Sequence, residues 1–258
     1  MKITQRAGIA IASICALAAT SGCSISFTGG KKSEPSSPPP PSATPSSAPQ
    51  FNGIDNLSAS EVVDAASDAL RTAPSVHIAG TVNKSQLDLR MDSSGNCEGR
   101  ITEDGTNVDL IKQGSKVWLK PDHAFWVQAA GDQATQTEAL VGDRYIVTDS
   151  SNPEFSSLAD ACDIAGYADS MTEDNGNSTV NKGVQKEVRG IAALELVRND
   201  PQEGRSQLYI ARTGKPYPLE IHGTDGDSPA GVVLDEYGKP LSIDVPSASE
   251  SLDAAQLS

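Results

Sequence analysis

Aromatic residues make up only 4% of this 258-residue chain, and histidine occurs three times, methionine three times and cysteine four times. Each shortage closes a class of function. His77, His123 and His222 lie far apart in the sequence, and no H-E-x-x-H pattern joins any two of them, so a zinc centre has no visible ligand set. The G-x-S-x-G elbow of serine hydrolases, the G-x-x-x-x-G-K-[ST] phosphate loop and the dinucleotide G-x-G-x-x-G are also missing. Carboxylates are plentiful, but none sits in a pattern that marks a glycosidase pair. No catalytic residue, metal ligand or cofactor site is therefore named from the sequence, and the expectation is a protein that is not an enzyme. Basic residues are scarce too. Twenty Lys and Arg face 34 Asp and Glu, a formal charge of -14. Such a chain repels nucleic acid phosphates and anionic headgroups as general partners.

Long apolar runs are absent as well. The longest, Ala7 to Ala19, is too short to span a bilayer as a helix, which needs about 20 residues. Its surroundings explain it. Lys2 and Arg6 precede it and Thr20-Ser21-Gly22 follow, which is the order of an export signal. Loss of residues 1–22 would leave 18 basic against 34 acidic residues, a charge of -16.

In place of bulky side chains stands a proline tract. "KKSEPSSPPPPSATPSSAPQ" (31–50) holds seven of the 16 prolines. It cannot bury enough surface to offset the entropy of ordering, and as an extended spacer it reaches roughly 60 Å. The remainder, residues 54–258, suits one domain. Ser58 and Glu61 form an S-x-x-E capping box, and Val62, Ala66, Ala69 and Leu70 recur at helical spacing up to Pro74. The period then changes to two. "SVHIAGTV", "LDLRM", "GRITED", "NVDLIKQ", "KVWLK" and "FWVQ" read as a meander of strands. Residues 129–173 read as two helical segments around a short strand, "RYIVT", with Phe155, Leu158, Cys162 and Ala165 along one helix face. Strands resume with "KGVQKEVRG", "AALELVRN", "SQLYIAR", "YPLEIHG", "GVVLDEY" and "LSIDVPS". Two of them follow similar turns, "TGKPYPLEI" and "YGKPLSIDV", read as independent uses of one turn chemistry. This order of elements defines an α+β fold, a large antiparallel sheet with its helices on one face.

The four cysteines divide by position. Cys15 lies in the apolar run and is lost with the signal. In an oxidising compartment Cys97 and Cys162 are expected to pair, two separate buried thiols being the alternative. That leaves Cys23 unpaired, directly after the small residues that close the signal. "TSGC" resembles the lipobox of bacterial lipoproteins, in which the cysteine is acylated and becomes the mature N-terminus; Thr20 stands where leucine is commoner. The expectations are a signal peptide over 1–22, an anchor and tether over 23–53, and a cell-membrane location on the extracytoplasmic face. The diacylglyceryl or acyl anchor at Cys23 would then be the contact with the membrane. Trp118, Phe125 and Trp126 either line a ligand cleft or belong to the core, and the aliphatic composition suits an acyl-chain cavity and an ordinary core alike.

With these residues in place, the chain resembles the actinobacterial lipoproteins of the LolA-like superfamily, the LppX/LprG type. The likeness rests on the lipobox, the proline stalk, "ALRTAPSVHIAGTV", "IKQGSKVWLKPDHAFW" and "SQLYIARTGKPYPLEIHG". It implies a strongly curved antiparallel half-barrel with helices on the concave face, and between them an apolar cavity for lipid or acyl chains. Trp118, Phe125, Trp126, Phe155 and Leu158 are the candidate lining of that cavity. A lipid is the expected ligand and a monomer the expected state. The competing expectation, on the same fold, is a surface or sensory interaction module with a closed core. An enzyme acting on the cell wall ranks third, since no motif supports it.

Overall fold

The computed structural model describes residues 50–257 apart from 83, 174–177, 202–203 and 224–230. Helix α1 (Ala59–Arg71) starts at the capping box. The Glu61 carboxylate accepts from the Ser58 amide at 2.6 Å, and the Glu61 amide donates to the Ser58 hydroxyl at 3.3 Å. Ser58→Ala is expected to cost about 1 kcal/mol, read as a shift in the denaturation midpoint. A five-stranded meander follows: β1 (Ser75–Val82), β2 (Ser85–Asp92), β3 (Cys97–Glu103), β4 (Thr106–Gln113) and β5 (Lys116–Pro121). Its β3–β4 turn is the Asp104-Gly105 pair, both at positive φ, the conformation that a two-residue hairpin requires.

Helices α2 (His123–Ala130) and α3 (Ala134–Val141) lead to β6 (Tyr145–Asp149), and α4 (Ser156–Asp160) and α5 (Ile164–Thr172) come next. A second meander runs through β7 (Thr179–Val188), β8 (Ile191–Asp200), β9 (Gly204–Ala211), β10 (Pro218–Gly223) and β11 (Gly231–Asp235), and β12 (Ser251–Asp253) is the last strand among the described residues. All twelve strands form one open sheet in the order β12-β6-β5-β4-β3-β2-β1-β11-β10-β9-β8-β7. The β1–β11 pair joins the two meanders, and only β12–β6 is parallel. This is the expected α+β sheet with helices on one face.

Three local expectations are corrected. "FWVQ" is not a strand but part of α2, because Asp122 caps that helix by accepting from the Phe125 amide at 2.9 Å. "PEFSSLADACDIAGYADSM" is two helices, since Asp163 caps a new one by accepting from the Ala165 amide at 3.0 Å and leaves Cys162 in the break. "LSIDVPS" forms no strand. Both sides of β11 are already paired, to β1 and β10, and the chain at Pro240–Ser242 instead borders a hollow beside β1, β2 and β3. The second Gly-Lys-Pro turn is thus not followed by a strand, although Gly214 and Gly238 share a positive φ.

Twelve strands about 4.8 Å apart would span roughly 50 Å if the sheet were flat. Yet one apolar cluster holds Leu89, Cys97, Leu110 and Leu119 from one meander and Leu194, Leu196 and Ile210 from the other, with Val62, Ala66, Leu70 and Ala168 of α1 and α5 between them. The sheet therefore curls around the helices as a half-barrel. Two glycines let neighbouring strands approach closely. Gly80 and Gly99 have φ of 139° and 150°, and a Cβ at either would overlap a carbonyl of the next strand, that of Gly231 or Asp88. The opposite face is polar. Asp88, Arg100, Asp109 and Lys120 stand side by side across β2–β5 with alternating charge, Arg100 donating to Asp109 at 2.6 Å.

Candidate functional site

α1 and α5 form a tight pair over β7–β10. Ala66 and Ala168 are fully buried, the Ser67 hydroxyl donates to the Ala168 carbonyl at 2.8 Å, and Arg71 pairs with Asp169. The break before α5 is bonded to the sheet through the Cys97–Cys162 disulfide, with a Cα–Cα distance of 5.6 Å. The Tyr167 hydroxyl donates to the Ala161 carbonyl at 3.2 Å in the same region, and burial pushes its pKa up to about 12, so it stays a neutral donor. The N-terminal end of α5 is thus fixed to β3.

At the other end of α5 the helices do not close onto the sheet. A cavity of about 110 Å³ opens there, with an apolar floor of Val63, Met171, Val180 and Leu208. The floor continues into the main core. Its polar border includes Asp64, Glu173 and Arg198. Arg198 follows Leu194 and Leu196 at two-residue steps on the inner face of β8. Its Nη2 donates to the Glu173 carbonyl at 2.5 Å. Its Nε is buried and has no hydrogen-bond partner among the described residues. Leaving such a donor without a partner costs about 1–3 kcal/mol.

Larger hollows lie elsewhere. One of about 560 Å³ is an open groove beside the charged rows of β2–β4. Another, about 590 Å³, is bordered by Arg189, Lys215 and the stacked rings of Tyr217 and Tyr237, which lie 3.9 Å apart at 7°. The Tyr237 hydroxyl donates to the Pro218 carbonyl at 2.6 Å, and burial raises its pKa well above the ordinary value. The two Gly-Lys-Pro turns thus meet through their tyrosines.

The five aromatic and aliphatic residues marked in the sequence are not brought together. Phe125, Phe155 and Leu158 pack half-buried on the main core. Trp126 belongs to a second cluster with Ala134, Val141, Ile146 and Leu252. Phe125 and Trp126 touch edge to face at 5.5 Å, and Phe125 packs against both clusters. Trp118 alternates with the core residues Val117 and Leu119 and stands opposite Ile111 and Val147 on the other face of the sheet. The residues that border the 110 Å³ cavity were not marked. Arg198 carried a readable signal, an arginine in the inward phase of an alternating strand.

Each histidine sits beside carboxylates. His77 faces Asp235 at 2.8 Å and Asp88 at 3.0 Å, His123 faces Glu138 at 2.7 Å, and His222 faces Glu220 at 3.0 Å. Among the described residues no group of three or more His, Cys, Asp or Glu is placed to hold a metal. No helix of the described residues is long and apolar enough to cross a membrane. Cys23, the signal and the tether up to residue 49 lie outside the described residues.

The half-barrel with helices seated inside it is a fold found among solved structures. The chain matches LprF of Mycobacterium bovis over 74% of its own length and 97% of that chain, with a TM-score of 0.51 and 12% identity. Lipoprotein LppX of Mycobacterium tuberculosis follows, over 72% and 97% at a TM-score of 0.46 and 12% identity. A LolA superfamily protein of Nitrosomonas europaea matches over 74% and 96% at 0.25 and 10%. At these identities the likeness is one of fold, and the match to LprF carries it. No protein-family model and no curated protein matches the sequence.

Proposed function

We propose that this protein is an extracytoplasmic lipoprotein, anchored to the membrane through Cys23, that binds an acyl-chain ligand between its helices and its sheet. One observation carries the reading: in this fold, the gap between α1, α5 and β7–β9 has an apolar floor that runs into the core. At about 110 Å³ it is smaller than the roughly 300–1,000 Å³ of an ordinary ligand pocket, so a long chain must lift the helices further. The disulfide holds one end of α5, which leaves the Met171–Glu173 end as the one that swings.

A second reading has its own support. Val62, Ala66, Leu89, Met91, Leu110 and Ile210 are all 0% exposed, so the middle of the interior is filled. Val127 and Leu140 are about half exposed on α2 and α3. A closed interaction module would look like this.

Mass spectrometry separates the two. Cys23→Ala protein, exported behind a signal that is cut without lipidation, carries no anchor lipid. It is expected to leave the membrane fraction and still to co-purify with an acyl lipid near one per chain. Persistence in the membrane fraction contradicts the anchor. A lipid-free protein that also takes up no acyl lipid from vesicles contradicts the ligand and favours the module.

A further inference from the structure

Arg198 lines the gap together with the polar residues Ser60, Asp64, Thr172, Glu173 and Ser178, and it holds the one buried side-chain donor without a partner among the described residues. Its Nε–H is buried, faces no acceptor among the described residues and belongs to a side chain on the border of the 110 Å³ cavity. The Nη2–Glu173 bond holds the guanidinium in place, so the orphan donor is fixed rather than free to turn towards water. That Nε has no accessible surface as the gap stands, so an acceptor reaches and satisfies it only when the gap widens, as the entry of a long chain requires. The acceptor's charge follows from the border. Asp64 and Glu173 also edge the cavity and are exposed. An incoming carboxylate or phosphate would meet two like charges beside one guanidinium, whereas a neutral carbonyl oxygen carries no net charge for them to repel.

We infer that Arg198 Nε–H fixes the polar end of the ligand by donating to the carbonyl oxygen of a neutral acyl ester, whose chain starts on Val63, Met171, Val180 and Leu208. This assignment rests on the acyl-ligand reading above and adds to it the residue that reads the ligand and the chemistry it reads. Arg198 binds and positions; no bond is made or broken.

The side-chain geometry supplies its own control. Glutamine places an amide nitrogen where arginine has Nε, whereas methionine places a methyl group there, and both variants lose the Glu173 bond. Equilibrium dialysis of the delipidated mature chain against radiolabelled monomyristoylglycerol, myristic acid and tetradecane tests the assignment. Arg198→Met is expected to weaken monomyristoylglycerol about tenfold, the loss of one buried hydrogen bond. Arg198→Gln is expected to recover most of that loss, and tetradecane should bind all three proteins alike. If the wild type binds monomyristoylglycerol and Arg198→Met binds it equally well, the role of Arg198 is overturned while the acyl reading stands. An equal loss for tetradecane overturns it too, because the arginine would then act through packing. If Arg198→Met loses more for myristic acid than for the ester, the neutral-ester assignment fails. If the wild type binds none of the three probes, both readings fall together.

Discussion

Breaking the Cys97–Cys162 bond is expected to lower the melting temperature by roughly 8–16 °C. The bond closes a loop across a sequence separation of 65 residues, which the chain-entropy account converts to about 4 kcal/mol. For a domain of this size each kcal/mol is worth about 2–4 °C. Both cysteines are fully buried in the main core, so the bond also ties the α4–α5 break to the first strand pairings of β3. The measurement is a thermal melt of the oxidised protein, the reduced protein and a Cys97→Ala/Cys162→Ala variant. The last two should agree with each other and fall well below the first. Coincidence of all three within about 2 °C would mean that the bond constrains nothing.

Gly99→Ala is expected to be as damaging, although it adds a single methyl group. Gly99 lies in β3 between Leu89 and Leu110, at the centre of the inner face, and its φ of 150° is in the region reserved for glycine. A side chain there costs about 1–3 kcal/mol in backbone strain. The new Cβ would also overlap the Asp88 carbonyl, and relief by shifting β2 costs roughly another 1–3 kcal/mol. The total, roughly 2–6 kcal/mol, is read from denaturant midpoints and also predicts partial loss of soluble protein. Gly80→Ala should behave in the same way against the Gly231 carbonyl. An unaltered midpoint for Gly99→Ala would show that the sheet bends without needing glycine at this point.

These two sites also show what a sequence can and cannot disclose. The capping box at Ser58 and Glu61, the alternation in β1–β5 and the punctuation by Asp104-Gly105 are local, and local chemistry decided them. "FWVQ" failed because four apolar or neutral residues carry no period of their own, and the capping role of Asp122 depends on the amide of Phe125 being turned towards it. "LSIDVPS" alternates well but has no free strand to pair with, which only the sheet order reveals. The need for glycine comes from the close approach of Gly99 to Asp88 and of Gly80 to Gly231, pairs that only the register brings together. The cavity is legible only in part. Arg198 stands out in the inward phase of β8, but Met171 and Val63 reach the same gap from helices far apart in the chain.

The central claim is that an acyl chain enters between α1, α5 and β7–β9. A monoacylglycerol with a photoreactive diazirine along its chain, irradiated with the delipidated mature protein and mapped by peptide mass spectrometry, tests this most directly. The account predicts adducts on Val63, Met171, Val180 and Leu208, reduced when unlabelled monoacylglycerol competes. Adducts confined to the exposed apolar residues Val127 and Leu140 of α2 and α3, or to the outer face of the sheet, would contradict it.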